Sequence, residues 1–145
     1  MREMIRLLQH SARYFDQTDG RGAITGQQHA LRCGALGRDL GKHKDMAFIG
    51  LIHDLARPLN DVHHGEIMAE IVRDRVSEET YQILRTHGAY QHAIVHEHPF
   101  PDEPWSEHSK QLAGFELRSF SEDYTGPTMT IPEAIGLMKA YLGND

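Results

Sequence analysis

A single cysteine in 145 residues, Cys33, excludes any internal disulfide. It lies among Ala30, Leu31 and Leu36 in a helical pattern and reads as a small buried apolar side chain. No apolar run is long enough to span a bilayer as a helix. The start, Met1-Arg2-Glu3, enters an amphipathic pattern directly, without the apolar core of a signal peptide. These features predict a cytoplasmic protein with no membrane partner. Basic residues are also scarce, 15 against 21 acidic, for a net charge of -6. That argues against nucleic acid as a partner, because such proteins carry a basic face. One locally basic pocket is still compatible with the balance. Alternation of apolar and polar residues, the mark of a strand, is missing throughout.

Helical spacing takes the place of that alternation. Hydrophobic residues at 39% and charged residues at 25% suit one ordinary globular domain over residues 1–145. Ile5, Leu8, Ala12 and Phe15 mark a first helix, and Asp16 to Gly22 reads as a loop. A second helix runs from about Thr25 to Leu40, with Gly41 placed to end it. The third, from about Lys44 to Leu55, is apolar nearly all round and therefore buried. Pro58 stops it, and a fourth follows from about Val62 to Arg75. Ser77 with Glu78 and Glu79 opens a fifth that reaches His87-Gly88, and Ala89 to His96 suggests another. Three prolines between His98 and Pro104 enforce a loop. Helices from Ser106 to Phe120, and after Thr130 with Pro132 in the first turn, complete the chain.

The unusual abundance is histidine, 11 in all. Histidine is the commonest metal-ligating side chain. The strongest signal is Ile52-His53-Asp54-Leu55 at the end of the buried helix. Ionisable groups there are expensive to bury without a partner, and a cation supplies one. Adjacent helix positions point about 100° apart. One ion therefore meets both side chains only near a helix end, or Asp54 bridges two ions while His53 binds one. His29, His64 and His87 stand on three other helices that can converge on the same core. Nitrogen and oxygen donors of this kind suit iron, manganese, zinc or nickel, and the absence of thiolates argues against a closed structural zinc site. His63, beside His64, is a candidate catalytic proton carrier along with Asp54. Arg57, one turn after His53, offers two hydrogen bonds to an anionic substrate. His92, His96, His98 and His108 read as surface residues.

The order His29, His53-Asp54, His64, His87 resembles the dinuclear branch of the HD-domain superfamily. In more detail it resembles the aminohydroxyethylphosphonate dioxygenases, mixed-valent di-iron oxygenases distantly related to myo-inositol oxygenase. The likeness covers residues 25–90 and, more loosely, 105–142. It implies an all-α HD bundle of five core helices with one or two peripheral ones. It implies His29 and His53 on one metal, His64 and His87 on a second, and Asp54 bridging them. The cofactors implied are two transition-metal ions, Fe(II)/Fe(III) before manganese, zinc or nickel. The activity implied is oxygenation of a small anionic, phosphonate-like substrate by O2. The alternatives are metal-dependent phosphohydrolysis, the majority activity of HD domains, and a non-catalytic ligand-sensing module. The family completes the first metal's shell with an aspartate directly after an aromatic residue; here Ser121 follows Phe120, so the resemblance implies either an open position at Ser121 or a ligand from Glu122 or Asp123. The substrate lysine of those enzymes corresponds to Gln91, beside Tyr90, which makes these two candidate substrate contacts.

Overall fold

The computed structural model describes residues 1–16 and 24–143. Seven α-helices account for most of them: α1 (Arg2–His10), α2 (Gly26–Leu40), α3 (Met46–Ile52), α4 (His64–Val72), α5 (Glu78–His96), α6 (Ser106–Ser119) and α7 (Ile131–Leu142). Helices α2 to α6 form the bundle, with α1 and α7 laid against it. The only strands among the described residues are β1 (Phe15–Asp16) and β2 (Ile24–Thr25), paired antiparallel with Phe15 opposite Thr25. Most of the expected loop between them lies outside the described residues. No helix among the described residues is long and apolar enough to cross a membrane.

The centre of the bundle is the pair α2 and α3. Helix α2 starts with a capping box, in which Thr25 Oγ1 accepts from the Gln28 N–H and the Gln28 side chain accepts from the Thr25 N–H. Helix α3 is buried along nearly its whole length, as its composition requires. The two approach closely because glycines face the opposing backbone. A Cβ on Gly50 would lie 2.5 Å from the Cys33 carbonyl oxygen, and one on Gly37 would collide with the Met46 carbonyl. Asp45, just before α3, is buried and accepts hydrogen bonds from Thr80 Oγ1 on α5 (2.8 Å) and from the Tyr141 hydroxyl on α7. One carboxylate thus joins three helices.

The element boundaries differ from expectation in four places. Helix α1 ends at His10, a 3₁₀ turn (Ser11–Arg13) carries Ala12, and Phe15 lies in β1 rather than on the first helix. Helix α3 ends at Ile52, where i→i+3 bonds (Leu55 to Ile52, Arg57 to Asp54, Leu59 to Ala56) replace the helical ladder. Helix α4 begins at His64 rather than Val62, and a 3₁₀ turn, Arg73–Arg75, follows it. Helix α5 runs without a break through Gly88, which is exposed and costs only about 1 kcal/mol as an interior glycine. The caps Ser77 and Thr130, and Pro132 in the first turn of α7, are as expected.

Candidate metal centre

His53 and Asp54 follow directly on the last helical residue of α3. The chain turns there, so the two adjacent side chains reach a common centre that a continuing helix would deny them. His29 enters from α2, His64 from the first position of α4, and His87 from the middle of α5. A sixth side chain, Glu116, enters from α6 and is fully buried.

Each imidazole is held by its Nδ1. His53 donates to the Gly50 carbonyl at 2.7 Å, His64 to that of Asp61 at 2.7 Å, and His87 to that of Leu84 at 2.8 Å. A carbonyl only accepts, so Nδ1 carries the proton in all three rings. For His29 the partner is Ser119 Oγ at 2.7 Å. The Ser119 hydroxyl gives its own hydrogen to the Glu116 carbonyl at 2.6 Å, so it too accepts from Nδ1. Neutral rings so held present four bare Nε2 lone pairs inward, the orientation in which metal-binding histidines are usually fixed.

These nitrogens lie too close to leave uncompensated. His29 Nε2 is 3.1 Å from His53 Nε2, and His64 Nε2 is 3.0 Å from His87 Nε2. The carboxylates complete two groups. Asp54 Oδ2 is 3.0 Å from His29 Nε2 and 3.4 Å from His53 Nε2, and Glu116 Oε1 is 3.0 Å from His53 Nε2. Asp54 Oδ1 is 2.9 Å from His64 Nε2 and 3.1 Å from His87 Nε2. Donors bound at about 2.0–2.2 Å around one ion are about 3–3.5 Å apart, from the angles of octahedral and tetrahedral shells. The observed separations match those polyhedron edges. Asp54 Oδ2 and Glu116 Oε2 are moreover buried without a hydrogen bond, a costly state that a cation relieves. The donor set therefore fits a divalent metal site.

The titration behaviour points the same way. Burial alone would raise the Asp54 and Glu116 carboxyls. The imidazoles, His53 foremost, outweigh it and hold Asp54 well below the ordinary range and Glu116 at about 2. Burial also opposes charge on His29 and His53, yet their neighbours, Cys33 and Asp54 respectively in the lead, raise both well above the usual value. His64 is raised as well, Asp54 overcoming its partial burial. Positive charge between these side chains is what the cluster favours, and a proton and a metal compete for the same Nε2 atoms.

A model of the HD domain matches residues 26–140, which carries every one of these side chains. The chain belongs to the HD-domain family. Comparison with curated proteins finds no match. The adjacent pair His53-Asp54 lies within the matched segment, and the cluster around it brings together all five residues that the sequence nominated as candidate ligands.

Other expectations need correction. Ser121, Glu122 and Asp123 do not approach the HD centre: they are exposed, and Ser121 Oγ donates to Asp123 Oδ1 at 2.6 Å. On α6 the inward face carries residues 112, 116, 119 and 120, and the chain leaves the helix before 121. Phe120 stacks on the His29 ring, with centroids 4.6 Å apart. The carboxylate comes from one turn earlier, as Glu116. Its signal was present in the sequence as a charged residue on an otherwise small and apolar stripe (Leu112, Ala113, Ser119, Phe120). His63 faces outward, paired with Glu66 at 2.7 Å and exposed, because the α4 start directs His64 rather than its neighbour inward. Tyr90 is buried with its hydroxyl committed to Ser106 Oγ at 2.6 Å, and Gln91 is half-buried; neither lines the cavity at the centre. Arg57 does reach the edge, with Nη1 4.0 Å from Asp54 Oδ2 and Nε bonded to Asp61 Oδ1 at 2.9 Å. Cys33 is buried as expected, its sulfur 3.7 Å from His29 Nδ1 and farther from Nε2 than the Asp54 oxygen is.

Access is one-sided. The His64 side chain is 13% exposed, while those of His29, His53, Asp54, His87 and Glu116 are at most 3% exposed. A cavity of about 340 Å³ opens beside His64 and His87, with Arg85 and Gly88 on its walls. A smaller one, about 180 Å³, lies at Arg57 and Asp61.

Proposed function

We propose that this HD-domain protein is a dinuclear metal enzyme that uses iron to oxidise a small anionic, phosphonate-like substrate with O2. The observation that carries the two-ion reading is Asp54, whose two oxygens each face a separate histidine pair. His29, His53, Glu116 and Asp54 would hold one ion, and His64, His87 and Asp54 would hold the other. The second set has fewer protein donors and stands at the only partly exposed ligand, the arrangement of a catalytic site with open positions. Arg57 pairs with the acidic group of the substrate, leaving its Asp61 partner to do so. When bound, iron supplies the change of oxidation state that oxygen chemistry needs and that a simple Lewis acid lacks. Glu116 restores the carboxylate that Ser121 lacks, which favours an intact enzyme over a non-catalytic sensor.

The test sets an oxygen electrode beside a phosphate-release assay. The iron-loaded protein is expected to consume O2 with a member of a panel of small hydroxylated phosphonates and related acids, and the zinc form to consume none. Phosphate release from nucleotides or phosphomonoesters by the zinc or manganese form, without oxygen uptake by the iron form, reassigns the protein as a phosphohydrolase.

A further inference from the structure

A second group of histidines stands at the far end of α5. His92 and His96 are one helical turn apart, at i and i+4, and so share a face. The helix then ends at Glu97 in a left-handed conformation (φ 57°, ψ 35°). The His98 N–H bonds back to the Ala93 carbonyl at 3.0 Å, and this hook lays the third imidazole against the other two. Ring centroids are 4.4 Å apart for His92 and His96, 5.2 Å for His92 and His98, and 5.9 Å for His96 and His98. All three residues are exposed.

The buried centre provides a yardstick from the same molecule. Its rings within one donor group are separated by 5.0 Å (His29 and His53) and 4.8 Å (His64 and His87). Simple geometry agrees: a metal–nitrogen bond of about 2.0–2.1 Å sets each centroid about 3.2 Å from the ion, so two rings at 90–110° are about 4.5–5.2 Å apart. Two of the surface separations, 4.4 and 5.2 Å, lie at the ends of that interval, and the third, 5.9 Å, is longer, so His96 and His98 must draw together to share an ion. The group's nitrogens do not yet converge. A turn about χ2, broad and inexpensive for an exposed histidine, exchanges the carbon and nitrogen edges of each ring.

We propose that His92, His96 and His98 form a second, surface metal site for a late first-row divalent cation of the zinc, copper or nickel class. Three imidazoles without a carboxylate favour these ions over magnesium or calcium, which take oxygen donors. Three protein ligands at an exposed helix end leave a fourth position to water or to an external ligand.

The experiment begins with protein whose buried centre is already metal-loaded, titrated with Zn2+ by calorimetry while the resident metal is followed by elemental analysis. One additional equivalent is expected, with micromolar affinity and no loss of resident metal. His96→Ala and the double variant His92→Ala/His98→Ala, both changes at exposed positions, are expected to weaken it at least tenfold (about 1.4 kcal/mol) while leaving resident metal and helical content unchanged. A Cu2+ spin-resonance spectrum should show nitrogen coupling in the parent protein that diminishes in each variant. Absence of the extra equivalent, uptake matched by release of resident metal, or uptake unchanged in the double variant would each overturn the proposal.

Discussion

At the scale of single residues, the centre depends unequally on its carboxylates. Asp54 serves both donor groups and Glu116 only one. Asp54→Ala should therefore lose both ions, and Glu116→Ala chiefly the one shared with His29 and His53; metal content per chain by elemental analysis checks this. Ser121→Asp should leave the content unchanged, since residue 121 is exposed beyond the end of α6. Full metal retention in Glu116→Ala would refute its place in the centre. The clustering of His29, His53, Asp54, His64 and His87 was legible in the sequence because each sits at a marked place, mid-helix among apolar neighbours or at a helix end. Glu116 was passed over although the stripe of Leu112, Ala113, Ser119 and Phe120 marks its face as the inward one, because a lone carboxylate on such a stripe shows its partners only once α6 is packed in the bundle. His63 failed for the complementary reason: adjacency in sequence to His64 says nothing about rotation into or away from the centre, while Tyr90, nominated beside Gln91 from a family position, is turned into the core toward Ser106.

At the scale of elements, tight contact between α2 and α3 sets the position of His53 and Asp54. Gly50→Ala should cost about 1–3 kcal/mol through overpacking against the Cys33 backbone, and it should reduce metal content too by displacing the end of α3. Gly88→Ala is the contrasting case. It is exposed in the middle of α5, and an added Cβ would meet nothing within 4 Å. That substitution should stabilise the protein by about 0.5–1 kcal/mol. Urea unfolding of both variants, followed by circular dichroism, measures the two signs; a stabilised Gly50→Ala would contradict the close helix approach. Helix existence was legible throughout from apolar spacing and caps. The boundaries were less so. The break at His53 arises from i→i+3 turns that apolar composition does not encode, and the continuity of α5 from tertiary packing that tolerates Gly88.

At the scale of the whole molecule, pH and metal act through the same lone pairs. In the metal-free protein the depressed carboxyls Asp54 and Glu116 contribute stability present above the unfolded carboxyl range, and it is lost as pH falls through their lowered values. The raised imidazoles His29, His53 and His64 contribute stability that is full below the unfolded histidine value and lost as pH rises through their folded values. Metal displaces those protons, so its affinity grows as pH rises. The gap in Tm between loaded and chelator-stripped protein should accordingly widen from pH 5 to pH 8, by scanning calorimetry; a gap that narrows would contradict the sign.

The convergence on Asp54 also has a meaning for the chain as a polymer. With one cysteine, the molecule has no covalent cross-link. Yet the pairs His29 with His53, His64 with His87, and His53 with Glu116 join positions 24, 23 and 63 residues apart. Ions held at these crossings would close three loops, that of residues 64–87 lying inside that of 53–116, and, as disulfides do, would restrict the unfolded ensemble while they stay bound. The knot is one that a chelator unties.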